Sequence, residues 1–181
     1  MTVSPYDIPL KRIDGSAGKL ADYKGKVLLV VNVASKCGLT PQYTGLESLY
    51  QSRRGRGLEV LGFPANNFMG QEPGEDAEIK TFCSTSYDVH FPLFSKISVV
   101  GNDQHPLYAQ LTNAQPKALG DGPFRERLAG YGVPPSAHPQ DILWNFEKFL
   151  IDRTGNVVAR FAPDVTADDP RLVAAIDAAL G

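Results

Sequence analysis

Apolar residues fall along this chain in short blocks separated by turn-forming residues. The densest block runs from Val27 to Val33, is rich in β-branched side chains and is interrupted only by Asn32. It is too short to span a membrane and reads as a fully buried strand. Ala34, Ser35, Lys36, Cys37 and Gly38 end it. Helical spacing then takes over, with Leu46, Leu49 and Tyr50 on one face of a helix predicted from Gln42 to Arg53. Gly55-Arg56-Gly57 stops that helix. Leu58 to Phe63 repeats the buried-strand pattern up to Pro64. Two such strands joined by a helix predict a parallel pair with a right-handed crossover.

Before this unit, weak alternation around Ile8, Leu10 and Ile13, with Asp14-Gly15 as a turn, predicts a small leading hairpin. After it comes the turn-rich stretch PANNFMGQEPGED, then a helix predicted from Glu75 to Thr85 with Ile79 and Phe82 inward. Val89 to Val99 reads as partly extended, and His105 to Leu111 as helical with a proline at its start. Residues 112–139 carry so many prolines and glycines that they read as one long loop, functional or interfacial. Trp144 to Asp152 and Val157 to Phe161 predict a hairpin around Arg153-Thr154-Gly155-Asn156. Asp168 or Asp169 caps a final helix, with Pro170 in its first turn and Leu172, Ile176 and Leu180 at four-residue spacing. No internal repeat divides the chain, and residues 1–181 are expected to form one domain. A β-α-β unit, a later hairpin and a closing helix describe an α/β, thioredoxin-like layout, a central mixed sheet flanked by helices.

Composition narrows the function. A chain of 181 residues with 43% hydrophobic content suits one domain with a real core. A net charge of −2 gives no nucleic-acid footprint. His90, His105 and His138 are scattered and match no zinc spacing, so neither a metal nor a cofactor is expected. Two cysteines are too few for a disulfide scaffold. The opening MTVSPYDIPLKRIDG lacks the basic start and apolar centre of a signal peptide, and no run reaches the length of a membrane span. A cytoplasmic protein is expected, and there a cysteine pair is more often redox-active than structural.

Cys37 lies where the buried strand turns into a helix. Backbone N–H groups at a helix start, and a cation such as Lys36, favour the thiolate over the thiol. A thiolate that attacks a peroxide also needs donors for the departing oxygen and a route back from the sulfenic acid. Neutral donors serve better than a tightly paired cation, because a strongly depressed pKa weakens the nucleophile. The side chains of Gln71, Trp144 and Asn145, at loop or strand ends, are of that kind. Each taken alone is equally compatible with a solvated loop residue, a core aromatic or a turn residue.

Taken together they match a family. NVASKCGLTPQY (32–43), LGFPANNFMGQEPG (61–74) and WNFEKFL (144–150), with FPLFSKISV and the HPLY at His105 to Tyr108, resemble the glutathione peroxidase family over nearly the whole chain. The resemblance implies a thioredoxin fold and reduction of hydrogen peroxide and organic hydroperoxides. It puts the peroxidatic residue on Cys37, a plain cysteine where some members carry selenocysteine, and the supporting residues on Gln71, Trp144 and Asn145. Two departures stand out. Ala65 replaces the cysteine of the FPCNQF stretch found in many cysteine-type members. The resolving cysteine of plant-type members falls, counted without gaps, on Ser84, whereas this chain has Cys83.

Three functions therefore stay open: a two-cysteine peroxidase resolved by Cys83 and recycled by thioredoxin, a one-cysteine peroxidase reduced by glutathione, and a redox sensor relaying oxidation to a partner protein. Residues 112–139 are long, as in tetrameric members, which leaves association between copies open.

Overall fold

The structure, a computed structural model, describes residues 4–181. The leading hairpin pairs β1 (Leu10–Lys11) with β2 (Ala17–Gly18). Its turn is held by Asp14, whose Oδ1 accepts from Ser16 N at 2.9 Å. Strand β3 (Val27–Val33) then enters the centre of the molecule with every residue buried. A strand buries both faces only in the middle of a sheet that is covered on both sides. Helix α1 (Gln42–Arg53) leads to β4 (Leu58–Pro64), which lies parallel to β3 with Val27 opposite Leu58 and Val33 opposite Pro64.

Helices α2 (Asp76–Tyr87), α3 (Pro106–Ala114) and α4 (Asp121–Gly130) come next. The hairpin of β5 (Lys148–Ile151) and β6 (Val157–Phe161) and helix α5 (Pro170–Leu180) close the chain. Strand β5 pairs antiparallel with both β3 and β6, giving a mixed sheet of order β4-β3-β5-β6. The fold is thioredoxin-like, as the sequence predicts.

Alternation along β3 sorts its side chains into two cores. Val27, Leu29, Val31 and Val33 pack in one with Leu46 and Leu49 of α1, Ile79 of α2 and Leu172 and Ile176 of α5. Leu28 and Val30 pack in the other with Leu107, Tyr108 and Leu111 of α3. The final helix starts at Asp169, whose carboxylate accepts from Arg171 N at 2.9 Å, and Pro170 occupies a first-turn position that needs no N–H.

One stretch departs from the sequence reading. Residues 112–139 are not one loop, because they contain α4. Gly120, Gly122 and Pro123 look like loop residues, yet Gly120 takes the left-handed N-cap (φ +86°) and Pro123 falls in the first turn, where a missing donor is harmless. Burial of Phe124 then fixes the helix. The segment just before it docks on β6, with Leu119 N donating to Arg160 O at 2.8 Å and Ala162 N donating to Leu119 O at 2.9 Å. Residues 89–99, read as partly extended, form no continuous strand: Phe94 bridges to Arg12 beside the leading hairpin, Ile97 N donates to Pro64 O of β4 at 2.9 Å, and Leu93 bridges to Gly62 of β4. The approach is so close that a Cβ at Gly62 would meet Leu93 Cδ2 at 2.8 Å.

Candidate active site

The turn after β3 is built by Thr40. Its Oγ1 donates to Ala34 O at 2.8 Å and accepts from Cys37 N at 3.0 Å, while its own N donates to Cys37 O at 3.0 Å. These bonds fold Ser35 to Thr40 back on the strand end and leave Cys37 only 8% exposed. Leu39 N donates to Cys37 Sγ at 3.3 Å. Helix α1 begins only at Gln42. The amide beside the sulfur therefore belongs to the turn, and not to the helix end expected from the sequence.

Gln71 arrives from the loop after β4. Phe68 to Gln71 make a tight turn closed by Gln71 N donating to Phe68 O at 3.2 Å, with left-handed backbone at Met69 (φ +53°) and Gly70 (φ +61°). Two consecutive positive φ values are the mark of the mirror-image type I′ turn. The turn is stitched to the cysteine turn, since Lys36 N donates to Gln71 O at 2.9 Å.

Trp144 and Asn145 precede β5, outside any strand. Asn32, the polar residue inside the apolar block of β3, holds them. Its Nδ2 donates to Trp144 O at 3.0 Å, and its backbone O accepts from Phe146 N at 2.6 Å. Phe146 is left-handed (φ +68°), an unusual state for an aromatic residue that persists only where its surroundings enforce it. Lys148 supplies a second restraint. Its fully buried Nζ donates to Phe146 O at 2.6 Å, Gln42 Oε1 at 2.8 Å and Pro163 O at 3.0 Å. Burial lowers its pKa to about 7. Held this way, buried Asn145 donates through Nδ2 to Gln71 Oε1 at 2.9 Å. The half-buried Trp144 ring lies 5.3 Å from the Phe68 ring.

Gln71 and Asn145 are thus in direct contact, Gln71 is bonded to the residue before Cys37, and Trp144 is the chain neighbour of Asn145. Sequence reasoning missed Asn32 and Lys148 as parts of this site. The available signal was a polar residue in each of two otherwise apolar strands.

Cys83 lies on α2, fully buried, in the same apolar cluster as Cys37, and both thiols are free. Burial pushes the Cys83 thiol up to about 11; the neighbouring Tyr43 hydroxyl opposes the shift and the charge of Glu72 adds to it. Buried Glu72 is itself raised by burial, against the pull of Ser35, Lys96 and Lys36. The lead-in to α2 is firmly tied. Lys96 Nζ donates to Glu72 O at 3.1 Å and Gly74 O at 2.6 Å, and Asp76 Oδ1 accepts from Lys96 N at 3.0 Å. Among the described residues, no group of three or more His, Cys, Asp or Glu side chains is placed to hold a metal ion. No described helix is long and apolar enough to cross a membrane.

The sequence profile of glutathione peroxidase matches residues 5–112. The chain is 51% identical over 173 residues to the thioredoxin/glutathione peroxidase BtuE of Escherichia coli K12, covering 94% of each chain. It is 48% identical over 168 residues to the hydroperoxy fatty acid reductase gpx1 of Synechocystis, covering 91% of this chain and 92% of that one. Among solved structures it resembles T. cruzi GPX1, with a TM-score of 0.71 and 32% identity over 99% of this chain and 97% of that one. A thioredoxin-family thiol:disulfide interchange protein from Chlorobium tepidum shares the fold at 17% identity and a TM-score of 0.58. With a profile match over more than half its length and close full-length relatives, this chain belongs to the glutathione peroxidase family.

Proposed function

We propose that Cys37 performs the peroxidase reaction that family membership gives this chain. The Cys37 thiolate attacks the distal oxygen of a hydroperoxide. The O–O bond breaks, an S–O bond forms, and the departing alkoxide or hydroxide takes a proton to become an alcohol or water. The sulfur is left as a sulfenic acid. The observation that carries this reading is the Asn145–Gln71 bond. It occupies the Gln71 carbonyl and so turns the Gln71 amide hydrogens away from Asn145, while the backbone bond to Lys36 keeps that amide beside the cysteine turn. In this reading Gln71, Asn145 and the Trp144 indole N–H are the neutral donors for the sulfur and the departing oxygen.

Cys83 then attacks the sulfenic sulfur, an S–S bond forms, and the hydroxyl leaves as water. Thioredoxin, a dithiol, reduces the disulfide and is itself oxidised. Thioredoxin stands in the name of the E. coli relative, which supports it as the reductant. A thiol with a pKa near 11 is on the order of 10⁻⁴ ionised at neutral pH, so Cys83 must leave its burial before it reacts. Residues 75–88 therefore unwind after Cys37 is oxidised. A cytoplasmic location, where reduced thioredoxin is available, fits this cycle.

The tied lead-in to α2 favours a second reading. If that helix stays closed, the sulfenic acid waits for glutathione, and one cysteine suffices. Mass spectrometry after one equivalent of hydrogen peroxide separates the two. The expected product is an intramolecular Cys37–Cys83 disulfide, two hydrogens lighter than the reduced chain. A persistent sulfenic acid, captured as a glutathione adduct on Cys37, overturns the role of Cys83. A Cys37 left unmodified while peroxide disappears overturns the role of Cys37.

A further inference from the structure

Three buried oxygens stand in a row of contacts that leads from Cys83 to the cysteine turn. The Tyr43 hydroxyl, Oε2 of Glu72 and the Ser35 hydroxyl are each shut off from solvent, and none has a hydrogen-bond partner among the described residues. Buried polar atoms without partners are rare in folded proteins, and a redox or catalytic role is one reason they persist. The Tyr43 hydroxyl faces the Cys83 thiol. Its ring is fixed by Tyr87 and Phe146, with ring centroids 5.5 Å and 5.4 Å away. The Glu72 carboxylate acts through its charge on both Tyr43 and Cys83, and it faces the hydroxyl and N–H of Ser35. Ser35 stands two residues before Cys37.

Glu72 is also anchored apart from the helix that carries Cys83. Its N donates to Asn66 Oδ1 at 2.9 Å, and its O accepts from Lys96 Nζ at 3.1 Å. Both ties lie outside residues 75–88, so the carboxylate stays in place when that segment unwinds. The cations that face it are Lys36 of the cysteine turn and Lys96 of the segment after α2. The titratable groups beside it are Tyr43 of α1 and Cys83 of α2, with Tyr87 next to Tyr43. Burial makes Glu72 a stronger proton acceptor than an exposed carboxylate.

We propose that Glu72 takes and returns the proton of the resolving step, reached from Cys83 through the Tyr43 hydroxyl and from Cys37 through Ser35. The proposal rests on the two-cysteine reading above. As α2 opens, the Tyr43 hydroxyl gives its proton to Glu72 and takes the proton of the Cys83 thiol. The Cys83 thiolate attacks the sulfur of the Cys37 sulfenic acid, an S–S bond forms and the S–O bond breaks. Cys83 is oxidised and Cys37 reduced to the disulfide level. The departing hydroxide takes the proton back from Glu72 and leaves as water, which restores the carboxylate.

The test is a single turnover with one equivalent of hydrogen peroxide, stopped at intervals with a thiol-alkylating maleimide and read by mass spectrometry. In Glu72→Gln the Cys37 sulfenic acid should form and accumulate, trapped by dimedone. The Cys37–Cys83 disulfide should appear at least about tenfold more slowly than in wild type, because general acid–base groups contribute about 10²–10⁴-fold and solvent at the opened segment takes over part of the role. The deficit should shrink as pH rises, since hydroxide then removes the thiol proton that the missing carboxylate cannot. A deficit that is the same at every pH marks a structural role and overturns the relay. Tyr43→Phe removes one unbonded hydroxyl and keeps the ring, so it tests the path in an intact core and should slow the same step several-fold. A wild-type rate of disulfide formation in either variant overturns the relay and leaves the two-cysteine reading standing. A wild type that forms sulfenic acid but no disulfide overturns the role of Cys83 and the relay with it.

Discussion

Cys37 and Cys83 share one buried cluster but sit in opposite kinds of structure. Cys37 lies in an irregular turn, with a backbone amide on its sulfur and a loop carrying Gln71 stitched to its neighbour. Cys83 lies inside a regular helix, sealed from water, with its proton held tightly. Irregular backbone leaves N–H groups unspent and can aim them at a developing charge. A helix spends its amides internally, and burial then favours the neutral form of the Cys83 thiol against the pull of the Tyr43 hydroxyl. The difference teaches that the backbone beneath two identical side chains can set different roles: in the proposed cycle one thiol attacks first, and the other stays inert until the helix opens.

The largest effect that can break this contrast is loss of the turn cysteine. Cys37→Ser should reduce peroxide consumption to the background rate. Residual activity above about a few per cent of wild type would move the nucleophile elsewhere. Next is the helix cysteine. Cys83→Ser should still consume one equivalent of peroxide yet lose turnover with thioredoxin as reductant, and turnover at the wild-type rate would make this a one-cysteine enzyme.

A smaller effect is expected at Asn32, which touches neither sulfur. Asn32→Ala removes the bond to Trp144 O. It should cost about 1–3 kcal/mol in denaturant unfolding, as for other buried polar groups left unpaired. It should also slow the reaction with peroxide by loosening Asn145. An unchanged rate in a destabilised protein would show that the latch serves the fold alone.

The smallest effect is a pH signature of the two regions. Lys148 titrates near 7 when folded and at 10.5 when unfolded, so between those values the unfolded chain holds more protons and stability rises with pH. Cys83 titrates near 11 when folded and at 9.0 when unfolded, so its contribution is complete below 9.0 and is lost as pH rises through 11. Stability measured against pH should climb above neutrality and turn down in strong alkali. Lys148→Met should flatten the climb, and Cys83→Ser should remove its share of the fall.

Much of this architecture was legible beforehand. Val27 to Val33 and Leu58 to Phe63 announce buried strands because parallel strands inside a sheet need apolar residues on both faces. The α1 boundaries and the Pro170 helix were equally plain. Helix α4 was hidden because Gly120, Gly122 and Pro123 carry loop chemistry, and only the burial of Phe124 overrides it. The contact between Gln71 and Asn145 follows the family resemblance, but the reason for it did not show in the chain. Asn32 and Lys148 are single polar residues in apolar strands, and two of the partners that matter, Trp144 for Asn32 and Gln42 for Lys148, lie far away in sequence. A pattern read in short windows cannot see a bond between residues 32 and 144. Nor can it see Lys96, from a separate segment, clamping the carbonyls of Glu72 and Gly74 in the turn-rich lead-in to α2.

The same distances set an order of events during synthesis. Strand β3 lies between β4 and β5, so one of its edges stays open until Lys148–Ile151 has left the ribosome. The bonds from Asn32 to Trp144 and from Gln71 to Asn145 wait for the same stretch. A nascent chain ending before Trp144 carries Cys37 without the latch that fixes its neighbours. The proposed centre is assembled last, and a chain truncated on the ribosome is born with a thiol but without the surroundings assigned to it here.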